Sequence, residues 1–197
     1  MEITPESLSQ QIPYYLTQEQ KDGLVRALKD FPTNTQYYLN AFQDELLQGD
    51  GWTKLPVRNF ETGERQTILG IILSNTCDVT PENIRHLPAQ IIFAPLIPLP
   101  AYITLLRNSG ISPSQIESKI AAIKDQRVTT IFFLPASDRL QQDYIALLDQ
   151  LYSMPARVFE LEKEKSKIFT LSQIGFYLFL FKLSVHFCRF HEGVARL

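Results

Sequence analysis

The stretch from residue 52 to residue 99 constrains the fold of this chain more than any other part of it. It contains three strand-like runs, WTKLPVRNF, QTILGIILSN and QIIFAPLIPL. The first two are joined by ETGE, a turn around Gly63, which is typical of a β-hairpin. The second run ends in polar residues, and Pro95, Pro98 and Pro100 end the third. This order of strands and short turns predicts a small β-sheet or barrel as the centre of the fold.

Helices are predicted on both sides of these strands. Thr17 with Gln20 forms a capping box for a helix near 18 to 30. A second helix is predicted near 34 to 48, where Tyr38, Phe42 and Leu46 recur at helical spacing. We therefore expect a helical N-terminal preface over residues 1–48 and a β-barrel domain over residues 49–197. The remaining predicted elements are helices near 101 to 108, 113 to 126 and 171 to 191, and strands RVTTIFFLPA and YIALLDQLY.

The chain length and composition fit one globular domain of the α+β class. Of its 197 residues, 45% are hydrophobic and 20% charged, which is enough apolar material for a core. The net charge of -2 gives no general attraction to nucleic acid, so binding of RNA would need a local basic patch. Two cysteines cannot form a disulfide framework, and the N-terminus does not resemble a signal peptide, so we expect a cytoplasmic protein.

The segment from 171 to 190 is the most apolar part of the chain. Its uninterrupted apolar run, Ile174 to Phe181, is eight residues long, whereas a membrane-spanning helix needs about 20 apolar residues. Thr170 with Gln173 is expected to cap this helix. We interpret the segment as a buried helix and expect no membrane contact; a membrane or a protein partner that covers the helix is the alternative.

One polar cluster follows the second strand and includes the candidate site residues Ser74, Asn75, Cys77 and Asp78. A thiol is a nucleophile only as thiolate, and Asp78 beside it opposes that ionisation. The structural interpretation is a small buried Cys77 and an Asp78 side chain that caps the turn. The alternatives are a polar ligand or RNA site and, third, covalent catalysis with His86 approaching the thiol.

A second candidate set lies on the C-terminal helix. Lys182, His186 and Arg189 fall on one helical face at spacings of four and three residues. Such cations face water, pair with acids or bind phosphate. His186 could act as general acid or base if Asp78 lay opposite it. A mixed-sign run from Glu160 to Lys167 is expected to form a solvated hairpin end or a solvated helix turn.

The sequence contains none of the motifs that carry nucleotide or zinc chemistry. There is no GxxxxGK[ST], no dinucleotide glycine fingerprint, no HExxH and no CxxC. We therefore expect no cofactor and no metal.

The order of Gly49-Asp50, the Gly63 hairpin, Leu73-Ser74-Asn75 and Ala94-Pro95-Leu96 resembles the MazF/PemK-like toxin family over roughly residues 49 to 99. The resemblance implies a small SH3-like barrel with a C-terminal helix. It also implies a link to sequence-specific endoribonucleases whose antitoxin occupies the RNA groove.

Two positions depart from that family pattern. The family has an Arg-Pro pair before its second apolar strand, where this chain has Thr67-Ile68-Leu69. The family's next strand ends Pro-Leu-Thr or Pro-Leu-Ser, and here it ends Pro95-Leu96-Ile97. Arg65 stands two or three positions early, so the catalytic role is not carried over to it.

The sequence thus leaves three hypotheses. The first is a prokaryotic or phage MazF/PemK-like barrel protein that binds RNA or a protein partner, in a toxin or phage-defence setting. The second is a metal-independent ribonuclease that uses His186, Lys182 and Arg189 with Cys77 and Asp78. The third is a structural protein that buries its apolar C-terminal helix in a partner or in a homodimer.

Overall fold

The computed structural model describes residues 36–59, 61–80 and 86–187 of the chain. These residues form an α+β fold in which an antiparallel sheet curls into a half-barrel and five helices pack around it. The predicted α+β class is therefore confirmed. The helix predicted near 18 to 30 lies outside the described residues, and the domain boundary at residue 48 stays a prediction.

The described residues contain eight strands and five helices. The strands are β1 (Tyr38–Leu39), β2 (Gly51–Arg58), β3 (Arg65–Ile72), β4 (Gln90–Pro98), β5 (Ile131–Leu134), β6 (Tyr144–Leu147), β7 (Tyr152–Pro155) and β8 (Lys167–Leu171). The helices are α1 (Thr76–Val79), α2 (Leu99–Asn108), α3 (Pro113–Lys124), α4 (Ala156–Leu161) and α5 (Gln173–Phe187).

The sheet follows the order β1-β8-β2-β3-β4-β6-β5, and β7 also pairs with β4. The long strand β4 therefore joins two halves of the sheet. Gly70 of β3 lies opposite Pro95, and Ala146 of β6 lies opposite Leu96. All pairs are antiparallel, as hairpin connections favour.

The three strand-like runs of the sequence correspond to β2, β3 and β4. Gly63, in the turn between β2 and β3, has φ +74°, a conformation that glycine adopts at little cost. The helices predicted near 101 to 108 and 113 to 126 are confirmed as α2 and α3. Ser112 and Gln115 form a capping box at the start of α3, beside Pro113.

The helix predicted near 34 to 48 is wrong in the described residues. Tyr38 pairs with Leu171 across β1 and β8, and the chain then runs through turns and bends to residue 50. Phe42 has a positive φ of 59° and is 49% exposed, which breaks the expected apolar stripe. Pairing with a distant strand thus overrides a local helical pattern.

Two smaller predictions near the C-terminus are also wrong. YIALLDQLY forms the strand β6 and the first residue of β7, with a turn between them, instead of one strand. Thr170 lies within β8 and does not cap α5. Ser172 does so, because its Oγ accepts a hydrogen bond from the Gly175 amide at 3.1 Å.

Two of the hydrophobic cores anchor the helices that carry predicted site residues. The tryptophan core contains Trp52, Leu55, Val79, Phe93 and Phe159, together with Val57, Ile72, Ile91 and Met154. The C-terminal core gathers residues of β1, β3, β4, β5, β6, β8 and α5, with Phe132, Leu178 and Phe179 among its buried members. A third core lies between the α2–α3 pair and strands β5 and β6.

The start of α5 is held against the segment before β1. The Ser172 amide donates to the Tyr37 carbonyl at 2.8 Å. A Cβ on Gly175 would lie 2.5 Å from the same carbonyl oxygen, so only glycine permits this approach. Among the described residues, no helix is both long and apolar enough to cross a membrane.

Candidate functional site

Two of the predicted site residues, Ser74 and Asn75, organise the backbone after β3. The Ser74 Oγ accepts from the Ile92 amide at 2.7 Å and donates to the Gln90 carbonyl at 3.3 Å. The Asn75 Oδ1 accepts from the Cys77 amide at 2.9 Å, which makes Asn75 the N-cap of α1. Their polar atoms thus hold β3, β4 and α1 together.

Cys77 and Asp78 lie on α1 and are both exposed. The prediction of a buried Cys77 is therefore wrong. Asn75 provides the N-cap of α1, and the capping role of the Asp78 side chain stays a prediction. Only the next residue, Val79, points into the tryptophan core, where it is 5% exposed.

The cation face predicted on the C-terminal helix does not face water at Lys182. Its side chain is buried, 3% exposed, and Nζ donates to the Gln126 main-chain carbonyl at 2.5 Å. Burial lowers the pKa of Lys182 to about 8, because an ammonium loses hydration inside the protein. Lys182 therefore cannot contact a phosphate in solution in this conformation.

The other two residues of that predicted face differ from Lys182. His186 is half-buried and its ring packs edge-on against Phe187, with centroids 4.5 Å apart. Arg189 lies outside the described residues. The two predicted groups belong to different parts of the fold: Val79 anchors α1 in the tryptophan core, whereas Leu178, Phe179 and Leu183 anchor α5 in the C-terminal core.

A cleft of about 540 Å³ lies beside α1. Its floor is apolar and contains Leu46, Val79, Ile91, Ala156 and Phe159. The rest of its lining is formed by Asp44, Glu45, Leu47, Thr76, Thr80, Glu160 and Lys165. A volume of this size accommodates one or two large side chains or a small ligand.

The carboxylates of Asp44, Glu45 and Glu160 form an acidic rim around this cleft. All three residues are exposed, and none forms an ion pair with another described residue. Lys165 is the basic residue among the described residues of the lining. Its Nζ donates hydrogen bonds to the main-chain carbonyls of Glu160 and Glu162 at 3.2 and 2.8 Å. The same ammonium lies 5.0 Å from the centroid of the Phe159 ring. The rim is therefore net negative.

The segment from Phe42 to Asp50, which we call the cleft loop, forms one wall of the cleft. It is held by a buried ion pair: the Lys167 Nζ lies 2.7 Å from the Asp50 Oδ2, and the two side chains are 3% and 1% exposed. The same Nζ donates to the Phe42 carbonyl at 2.5 Å, and Oδ2 accepts from the Leu47 amide at 2.8 Å. One charge pair thus binds both ends of the cleft loop.

Burial raises the pKa of the Asp50 carboxyl, and the hydrogen bonds from Lys167 and from the Leu47 amide offset part of that rise. The ammonium of Lys167 also lies 5.4 Å from the Trp52 ring centroid. Trp52 in turn meets Phe159 edge-on at 5.0 Å. The ion pair is therefore in contact, through Trp52, with the aromatic floor of the cleft.

Sequence reasoning missed both members of this pair. Lys167 belongs to a mixed-charge run that predicted a solvated turn, and that prediction is wrong at Lys167, whose side chain is buried. Its partner Asp50 stands out in the sequence only as part of Gly49-Asp50. The sequence does contain one indication that Lys167 is buried, because this residue directly precedes the apolar strand residues Ile168 and Phe169.

Among the described residues, no group of three or more histidine, cysteine or acidic side chains is arranged to hold a metal ion. No protein-family profile matches the chain, and no curated protein matches it.

Proposed function

We propose that this chain is a cytoplasmic barrel protein of the MazF/PemK-like type that binds a macromolecular partner and does not cleave RNA. The proposal includes an SH3-like arrangement of β2, β3 and β4 with α5, and a toxin or phage-defence setting. These parts rest on the resemblance of residues 49 to 99. The binding role rests on the cleft beside α1.

The single observation that carries the binding role is the shape and lining of the cleft. It is concave, its floor is apolar, and its rim carries carboxylates that form no ion pair with another described residue. Such a combination of apolar floor and few polar groups is typical of a binding site.

The geometry favours binding over cleavage. A ribonuclease needs a general base and a group that stabilises the phosphate charge in one place. The predicted set does not supply this, because the Lys182 ammonium is buried against a main-chain carbonyl. Asp78 and His186 stand on α1 and α5, and these two helices are anchored in different cores.

The proposal is tested by incubating the purified chain with long single-stranded RNA in the presence of a metal chelator. We expect the RNA to stay intact, as in the sample without protein. Cleavage that His186→Ala abolishes without lowering the thermal unfolding midpoint would establish the ribonuclease and contradict the proposal. The control variant is Ser184→Ala, a small change on the same helix.

A further inference from the structure

We propose that the cleft beside α1 binds a segment of a partner protein in which a large apolar side chain is flanked by lysine or arginine. This inference rests on the proposed binding function and names the class of partner. The apolar side chain would occupy the floor, and the basic side chains would pair with the rim.

The floor supplies the first argument. Leu46 and Phe159 line the cleft together with buried Val79 and Ile91, so an inserted aliphatic or aromatic side chain would lose its contact with water. Partner residues that fill such pockets dominate the binding energy of protein interfaces.

The rim supplies the second argument, which is one of charge. Asp44 and Glu45 stand on the cleft loop, and Glu160 stands on α4, a second element of the lining. The neighbouring cation, Lys165, is already bound to two main-chain carbonyls of the same helix region. A basic segment is therefore attracted by carboxylates on two elements of the lining, while the phosphates of an RNA are repelled.

The fixed wall supplies the third argument. The cleft loop is tied through Phe42 and Leu47 to the buried Asp50–Lys167 pair. A wall that is held before the partner arrives loses little conformational entropy on binding, so more of the interaction energy appears as affinity.

Exposed apolar side chains near the cleft agree with a protein partner. Phe42, at the start of the cleft loop, is 49% exposed, and Leu161, at the end of α4, is 67% exposed. Each of these two residues belongs to an element that contributes residues to the cleft lining. Large exposed apolar groups beside a cleft mark protein-interaction sites more often than sites for small polar ligands.

The experiment selects a displayed library of random short peptides on the full chain. Peptides that also bind the Asp44→Lys/Glu45→Lys variant are removed. We expect the remaining peptides to place lysine or arginine beside leucine, isoleucine or phenylalanine. Enrichment of acidic peptides, or no enrichment above an unrelated acidic protein, would overturn the inference.

The best peptide is then synthesised and its dissociation constant measured by fluorescence polarisation. The Asp44→Lys/Glu45→Lys variant should weaken binding by about tenfold or more, because two attractive charges become repulsive. The control is Glu117→Lys/Glu64→Lys, which makes the same charge change on α3 and beside the β2–β3 turn. Equal weakening by the control would show that only net charge matters and would overturn the inference.

Three further readouts test the role of the floor and separate this inference from the function it rests on. Replacing the apolar residue of the peptide by serine should abolish binding, and unchanged binding would overturn the role of the floor. If the chain binds RNA without cleaving it and selects no peptide, the inference fails while the binding function stands. If the chain sediments as a dimer that the Asp44→Lys/Glu45→Lys variant dissociates, the occupant is a second copy and the inference is overturned.

Discussion

The cleft side and the C-terminal side of this fold each bury a lysine, and they do so in opposite ways. On the cleft side, Lys167 faces the Asp50 carboxylate at 2.7 Å. On the C-terminal side, Lys182 has a main-chain carbonyl, that of Gln126, as its hydrogen-bond partner. A buried charge with a counter-charge organises its surroundings. Among the described residues Lys182 has no such counter-charge, so it retains much of its desolvation cost.

The two lysines also differ in the segments of the chain that they hold in place. Lys167 and Asp50 together bind the cleft loop at Phe42 and Leu47. Lys182 donates to the carbonyl of Gln126, which lies two residues beyond the end of α3. Gln126 is already fixed by its own side chain, which forms hydrogen bonds with both main-chain groups of Phe133 at 2.7 and 3.1 Å. Removal of Lys182 should therefore leave its neighbours in place, while removal of Lys167 should not.

The largest effect is expected for Lys167→Met. This change leaves the Asp50 carboxylate buried without its cation, and breaking a buried pair in this way costs about 3–5 kcal/mol of unfolding free energy. Denaturant unfolding near neutral pH measures it. A loss below about 1 kcal/mol would show that Asp50 is rehydrated or protonated without difficulty.

The next effect is the pH dependence that Lys182 confers. Burial lowers the pKa of this lysine to about 8 from its ordinary 10.5. Between these values the unfolded chain binds the proton and the folded chain does not, so the unfolding free energy rises with pH, by about 3 kcal/mol in all.

This rise is measured as the difference between the unfolding free energies of the wild type and Lys182→Met across that pH range. The difference is needed because burial raises the pKa values of Tyr37 and Tyr38, and these tyrosines lower the stability at the alkaline end. If the unfolding free energies of the wild type and the variant changed in parallel with pH, the result would contradict the lowered pKa of Lys182.

A smaller effect of the opposite sign is expected for Lys182→Met near neutral pH. Replacing a poorly compensated buried ammonium by an apolar side chain of similar shape should stabilise the fold by about 1–2 kcal/mol. The lost hydrogen bond to Gln126 limits this gain. Destabilisation by more than about 2 kcal/mol would mean that the hydrogen bond outweighs the desolvation cost.

The smallest effect concerns α1, beside the cleft. Asn75→Ala removes the N-cap and should cost about 1 kcal/mol, whereas Cys77→Ala, on the exposed surface of the same helix, should change stability by less than about 0.5 kcal/mol. Thermal unfolding of both variants gives the comparison. A larger loss of stability in Cys77→Ala would show that the thiol contributes to the stability of the fold.

Whether a feature of the fold or of the candidate site could be predicted from the sequence depends on how far apart in the chain its contacting residues lie. Strands β2 and β3 and their turn at Gly63 were predictable because adjacent residues determine the hairpin. The capping box of α3 was predictable for the same reason, since Ser112 and Gln115 are three residues apart. The half-barrel arises from such local units.

The features that the sequence did not predict depend on distant partners. Lys167 is buried because it meets Phe42, 125 residues earlier in the chain, and Asp50 beside it. Tyr38 becomes a strand residue because Leu171 lies opposite it. Spacing along the chain cannot reveal such pairs, so the mixed charges around Lys167 predicted only a solvated turn.

The cleft itself was missed for the same reason. Its lining comes from the cleft loop, α1, β4 and α4, which the sequence separates by tens of residues. The polar cluster around Cys77 marked the right neighbourhood, but the exposed thiol and Asp78 are not among the residues that line the cleft.

The most direct test of the account is amide hydrogen exchange over the cleft loop in Lys167→Met and Lys182→Met, each compared with the wild type under conditions where all three chains are folded. We expect faster exchange of the amides from residue 42 to residue 50, Leu47 above all, in Lys167→Met, and wild-type exchange there in Lys182→Met. Equal exchange of the cleft loop in the two variants would contradict the claim that the Asp50–Lys167 pair holds the wall of the cleft.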